Sequence, residues 1–228
     1  MTDLYNGHHF FAGVDIKPNL SHKSNLVVTT RYWENGDFPG QAFHMGAELG
    51  MYDERDDDCF RTVGKATQSL FVPRPNSMDV VSFGDSIDGD VLNASMVYKK
   101  NTDDSGMPWL HLGLVEIDRT GWEYHDEALD LFIARIVQSI PGDALYVTCY
   151  AYPEGKEVNW KRSSTDRMND ETVPWDMEKL TFRGKEMTCG EASKKISKRW
   201  ELMGLETSNI THTNSAEPVL ICHGAFCT

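Results

Sequence analysis

The chain lacks most of the short signatures that announce a common enzyme. No GxSxG elbow, HExxH pair, P-loop or CxxC pair occurs in its 228 residues. That removes the usual sequence grounds for a serine hydrolase, a zinc protease, a nucleotide-phosphate cradle or a dithiol redox site. The five cysteines, Cys59, Cys149, Cys189, Cys222 and Cys227, are odd in number and widely spread, so they signal neither a disulfide framework nor a zinc site. No apolar run approaches the roughly 18 residues that would cross a bilayer. The opening stretch MTDLYNGHH has neither the basic n-region nor the apolar h-region of a secretory leader. These absences lead us to expect a soluble protein of a reducing cytoplasm, with no metal site and no membrane partner.

Basic residues are also scarce. Lys and Arg number 22 against 35 Asp and Glu, a formal charge of −13. A phosphate polymer would be repelled by the overall field, so no nucleic-acid partner is expected. A basic partner surface remains compatible with this charge. A hydrophobic share of 40% with 11% aromatic residues is that of a folded chain. A chain of this length buries roughly 70% of the surface its unfolded form exposes, so its core needs no staple.

The pattern along the chain predicts an irregular segment over residues 1–24 and one α/β domain over 25–228. Asn25 to Trp33, NLVVTTRYW, reads as the first strand. Gln41 to Tyr52 has helical spacing at Phe43, Ala47 and Leu49, and a short helix is expected over Phe60 to Leu70. Met78 to Asp85 and Val91 to Lys99 read as two strands joined by a hairpin turn at Asp88-Gly89. Trp109 to Ile117, WLHLGLVEI, is nearly all apolar and reads as the central strand. The amphipathic stretch HDEALDLFIARIVQSI and the buried strand ALYVTCYAY then complete a parallel βαβ crossover. Residues 153–180 form a long polar insert, the helix EASKKISKRWELM follows, and EPVLICHGAF closes the chain as a strand.

This order of elements, together with RWELMGLE near the C-terminus, resembles the GNAT acetyltransferase superfamily over roughly residues 25–226. In that family the last helix ends in a pattern similar to aromatic-x-x-hydrophobic-Gly-Phe-Glu, and Trp200, Gly204, Leu205 and Glu206 stand in the corresponding places. The resemblance implies a mixed central β-sheet and an acyl-CoA cofactor lying between its fourth and fifth strands. It also implies transfer of the acetyl group to an amine. The implied contacts to the cofactor's phosphates are Arg119, Thr120 and Gly121 in the loop after the central strand, with Lys195, Lys198 and Arg199 on the basic helix. That loop, DRTGWEYHDEA, carries one glycine where the family usually carries more, and acidic residues where phosphates would sit. Trp200 stands where the family often has a tyrosine able to protonate the departing thiolate, which an indole N–H cannot do.

For the amine proton, the central strand offers His111 and Glu116, which strict alternation would place on opposite faces of the sheet. The WEYHDE stretch gathers polar groups at a strand end, where open α/β sheets tend to bind ligands. The acidic cluster Asp53, Glu54, Asp56, Asp57 and Asp58 lacks the glycine of a calcium loop, and His125 lacks a histidine at ligand spacing. Cys149, mid-strand, reads as buried and inert. A second functional reading follows from the altered phosphate loop, Trp200 and the acidic surface. It is a noncatalytic interaction or inhibitor protein, such as a phage or accessory protein acting on a host protein, on a degenerate version of the same fold.

Overall fold

The computed structural model describes residues 10–13, 25–52, 60–102, 105–117, 125–140, 142–161, 174–211 and 218–227. Four strands come first: β1 (Phe10–Gly13), β2 (Asn25–Glu34), β3 (Phe43–Tyr52) and β4 (Phe60–Val72). Two helices follow, α1 (Val80–Ile87) and α2 (Gly89–Thr102). Next are β5 (Trp109–Leu112), β6 (Leu114–Ile117), α3 (His125–Gln138) and β7 (Ala144–Tyr150). The chain ends through β8 (Val158–Trp160), β9 (Lys179–Phe182), β10 (Lys185–Thr188), α4 (Cys189–Leu202), β11 (Glu206–Thr211) and β12 (Pro218–Cys227).

Several of these elements differ from the sequence expectation. Gln41 to Tyr52 is not a helix. In β3, Phe43, Met45, Ala47 and Leu49 are buried while the residues between them are partly exposed, a period of two. The space that permits Gly46 is taken by the Trp33 ring, which a Cβ at that glycine would touch at 3.4 Å. Phe60 to Leu70 is likewise strand, within β4. In the other direction, the two strands expected over 78–99 are helices. Asp79 caps α1 by accepting from the amides of Val81 and Ser82. Asp88, expected in a hairpin turn, ends α1 and accepts from the Val91 amide at 2.7 Å to start α2. The two helices pack closely at Gly84, where a Cβ would lie 2.6 Å from Ser95 Oγ. Within the segment expected to be irregular, Phe10–Gly13 pairs antiparallel with β2.

The main sheet runs β1-β2-β3-β4-β5-β7-β12-β11, with β6 beside β4. It is mixed. β5 and β7 are parallel, as the crossover through α3 requires, and the other neighbours are antiparallel. A second sheet, β10-β9-β8, is built from the expected insert and the hairpin after it. One core cluster joins Leu110, Leu112, Val147 and Cys149 to α3 and Trp200 of α4. Another joins Trp109 and Tyr146 to α1 and α2. The sheet is therefore covered on both faces, α3 and α4 on one and α1 and α2 on the other.

The central strand is interrupted at Gly113. β5 pairs with both β4 and β7, whereas β6 keeps only β4. At the same rung of β4, Gln68 adopts a positive φ of 55°. A Cβ on Gly113 would sit on the Gln68 carbonyl oxygen, inside van der Waals contact, so the backbones approach this closely only because residue 113 is glycine. Ser69 Oγ accepts the Gly113 amide at 3.2 Å. The pleat changes parity here: Val115 and Ile117 share the cluster of Leu110 and Leu112. Glu116 therefore falls on the same side of the sheet as His111, not the opposite one. β7 ends at Tyr150, level with Gly113 in the β5–β7 register, so beyond Gly113 a gap opens on that edge of β6.

Replacing Gly113 with alanine should lower stability by about 1–3 kcal/mol, an overpacking effect. In a chain of this size that is a drop in Tm of roughly 2–12 °C by thermal circular dichroism. An unchanged Tm would mean that the two backbones are not held at this distance.

Candidate functional site

The gap opens into a cavity of about 610 Å³, within the usual range for small-molecule sites. Its walls come from both faces of the sheet. His111, Tyr150 and Val91 belong to the α1/α2 side, Leu129, Ile196 and Trp200 to the α3/α4 side, and Gly113, Leu114 and Val115 lie between them. The cavity therefore passes through the sheet where its two central strands part.

His111 stands in the wall of this passage, only 2% exposed. Its Nδ1 is 3.1 Å from Thr148 Oγ1, which also accepts the indole N–H of Trp109 at 2.9 Å. The His111 ring stands nearly perpendicular to that of Tyr150, with the centroids 5.5 Å apart. Among the described residues no group bonds its Nε2. Burial pushes the His111 pKa down to about 4, against a small opposing pull from Asp88, so the ring is neutral at ordinary pH. Tyr150 donates its phenol proton to the backbone carbonyl of Asp90, tying the end of β7 to the first turn of α2. Burial and then the charge of Asp90 push that phenol well above its ordinary range, so it keeps its proton.

The charged wall residues divide by side. Asp88 and Asp90 come from the start of α2, and Glu154 from the turn after β7; Lys195, Lys198 and Arg199 come from α4. Partial burial, then the Asp88 charge, raises the Asp90 pKa, and partial burial, then Asp90, raises that of Glu154. A third charged feature is internally balanced. Glu157 is 7% exposed, accepts from Arg183 Nε at 2.8 Å and accepts the Ile117 amide at 3.1 Å. The edge of β6 that lost β7 is thus partly satisfied by a side chain from the insert. By the alternation of an antiparallel ladder, Val115, two residues before Ile117, directs its own N–H and C=O into the gap.

The residues singled out from sequence fall into three groups. His111, Lys195, Lys198 and Arg199 meet in one cavity, although they come from distant parts of the chain. Glu116 is half-buried against Gly155, where a Cβ would meet its carboxylate, and it does not line the cavity. Arg119, Thr120 and Gly121 lie outside the described residues, as does the acidic cluster 53–58 and the start of WEYHDE. Cys149 is buried, and burial together with the facing Cys222 pushes its thiol pKa well up. Trp200 is 4% exposed and belongs to the core as well as to the cavity wall. Sequence reasoning missed Tyr150, Asp88, Asp90 and Glu154. The available signal was the pair of Asp N-caps on α1 and α2, which would have identified the helices and brought Asp88 and Asp90 to the sheet.

Among the described residues no group of three acidic, histidine or cysteine side chains is placed to hold a metal ion, and no helix is long and apolar enough to cross a membrane. The chain matches no family model, no curated protein and no solved structure.

The neutral His111 has a consequence for acid stability. The unfolded chain binds a proton at this residue from pH 6.5 downwards, and the native state only near pH 4. Stability is therefore lost as pH falls through that window, by about 3 kcal/mol from this residue. Urea titrations at pH 7 and pH 4 should show a smaller acid loss in His111→Gln than in the wild type. Equal losses would mean that His111 titrates normally.

Proposed function

We propose that this cleft transfers an acyl group from acyl-CoA, acetyl-CoA in the first instance, to a primary amine. The observation that carries the reading is one cavity lined from both faces of the sheet where β6 runs on past the end of β7, with cations on one side and carboxylates on the other. Counted from β2, these are the fourth and fifth strands of the sheet, where the family resemblance puts the cofactor. Passage through a sheet lets two substrates approach from opposite faces and meet in the middle.

The residues present suit such a cofactor. Lys195, Lys198 and Arg199 provide positive charge for its phosphates. Leu129, Ile196 and Trp200 offer apolar walls, and the Val115 backbone edge can pair with an amide-bearing arm. Arg119 to Gly121, in the loop leading to α3, would add to the phosphate contacts. When bound, the cofactor supplies the activated thioester carbonyl.

The protein's own part is to orient the amine and take its proton as the C–N bond forms and the C–S bond breaks. In the tautomer whose Nδ1–H donates to Thr148, His111 directs a lone pair at Nε2, and being uncharged it does not repel an ammonium. Asp90 and Glu154, with raised pKa values, are stronger proton acceptors than ordinary carboxylates and lie on the amine's side. Trp200 has no acidic proton to return, and in this reading it fills the wall.

Titration calorimetry with acetyl-CoA tests the reading. A micromolar Kd that weakens at least tenfold in the Lys195→Glu, Lys198→Glu double variant is the expected result, and His111→Gln should then lower kcat about a hundredfold. Absence of heat and of thermal shift at millimolar acetyl-CoA would sink the proposal. It would leave the chain as a noncatalytic binding protein.

A further inference from the structure

The carboxylate side of the cavity has an arrangement that a single amine does not use. Asp88, Asp90 and Glu154 all line it, and the basic residues of the wall come from α4 and the β9–β10 turn. Helix capping occupies one oxygen of Asp88 and the first turn of α2 favours an acidic residue at Asp90, but neither accounts for Glu154 as a wall residue. Beside them stands His111, 2% exposed, whose Nε2 has no partner among the described residues. Tyr152 lines the same cavity and adds an aromatic surface.

From this geometry we infer that the amine acceptor is a small aliphatic di- or polyamine, with one amino group directed to His111 and a second held among Asp88, Asp90 and Glu154. The acceptor role rests on the acyl-transfer reading above; the cation subsite itself does not.

Three features select this ligand class. First, the carboxylates are not grouped to hold one metal ion, and their charge comes from two separate segments of the wall, the start of α2 and the turn after β7. A flexible chain with ammonium groups several bonds apart matches a spread charge, whereas a compact divalent ion does not. Second, the carboxylates act on one another: Asp88 raises the pKa of Asp90, and Asp90 raises that of Glu154. Their mutual repulsion is relieved more by two positive charges than by one. Third, the cavity of about 610 Å³ must also admit the arm of an acyl donor under this reading. That leaves room for a slender acceptor and not for a bulky one. His111 completes the selection, because an uncharged acceptor beside the carboxylates receives the reacting amine without competing for the second cation.

The test uses two probes, spermidine and n-butylamine, titrated calorimetrically into the full chain at physiological ionic strength. Wild-type protein should bind spermidine at least tenfold more tightly than butylamine. In the Asp90→Asn, Glu154→Gln double variant, the ratio should fall towards one. Asp88 is left intact because it caps α2, and each variant is compared with the wild type by thermal melt. Equal affinity for the two probes, or a spermidine preference that survives in the double variant, would overturn the inference. Should the double variant not fold, the single Glu154→Gln variant, outside any helix, carries the same test with a smaller expected loss of about threefold.

Acetyl-CoA titration separates the two claims. Acetyl-CoA binding with no diamine preference would refute the subsite and leave acyl transfer standing. Diamine binding that depends on Asp90 and Glu154, with no acetyl-CoA binding, would refute acyl transfer and retain the cation subsite.

Discussion

The close contact of two backbones at the Gln68–Gly113 rung is the constraint on which the rest of the structure depends. An antiparallel pair normally keeps its pleat, and a strand in mid-sheet normally keeps both neighbours. Here Gln68 takes a left-handed conformation opposite a glycine, and the pleat of both strands turns over. β5 still reaches β7 but β6 no longer does. A sheet of this width otherwise buries its interior completely. The local turn-over converts the middle of the sheet into an opening, and it leaves backbone groups of β6 without a strand. Glu157 answers one of them through the Ile117 amide and is itself held by Arg183. The small sheet β8–β10 is therefore more than an appendage. It supplies the groups that stabilise the open edge.

An opening through a covered sheet has two mouths with independent surroundings. The start of α2 brings carboxylates to one and α4 brings cations to the other. In a chain of net charge −13, the basic mouth is a local reversal of the overall field. Positive charge in the wall is thus confined to α4 and Arg183 of the β9–β10 turn, and the carboxylates crowd at the other mouth. The wall between the mouths is electrically quiet: His111 is neutral, and Tyr150 keeps its proton.

Parts of this were legible in the sequence and parts were not. β2, α3, β7, α4 and β12 carry long, unambiguous patterns, and the parallel pairing of β5 with β7 follows from the crossover. The errors were errors of period. In β3, Phe43, Ala47 and Leu49 fit a helical template, but Met45 completes a period of two through the same stretch. In α1 and α2, the Asp88-Gly89 turn signal suggested a hairpin of two strands, yet Val91, Ala94 and Tyr98 are buried at helical spacing behind an Asp cap. Tertiary burial overrode propensity in both cases. The site suffered accordingly. Lys195, Lys198, Arg199 and His111 could be proposed because their elements were read correctly. Asp88 and Asp90 could not, because a hairpin would have carried them elsewhere. Glu116 was misplaced for a different reason: a parity rule holds only along an unbroken pleat, and Gly113 breaks it.

Trp200 shows how far the same residue serves fold and cavity together. Its side chain is nearly buried, packs with the cluster under α3, and still forms part of the cavity wall. A tyrosine there would bring a hydroxyl that needs a partner in an apolar cluster. The indole instead gives bulk without an acidic proton, and of the two tyrosines that line the cavity, Tyr150 and Tyr152, the one on β7 is Tyr150, on the opposite face. That phenol donates to the Asp90 carbonyl, and its pKa is raised by burial. It is therefore fitted to fix the carboxylate mouth against the end of β7 and is poorly suited to give up a proton. Under the acyl-transfer proposal, proton handling would fall to His111 and the carboxylates, on the side of α2, and the side of α4 would be left to charge and packing.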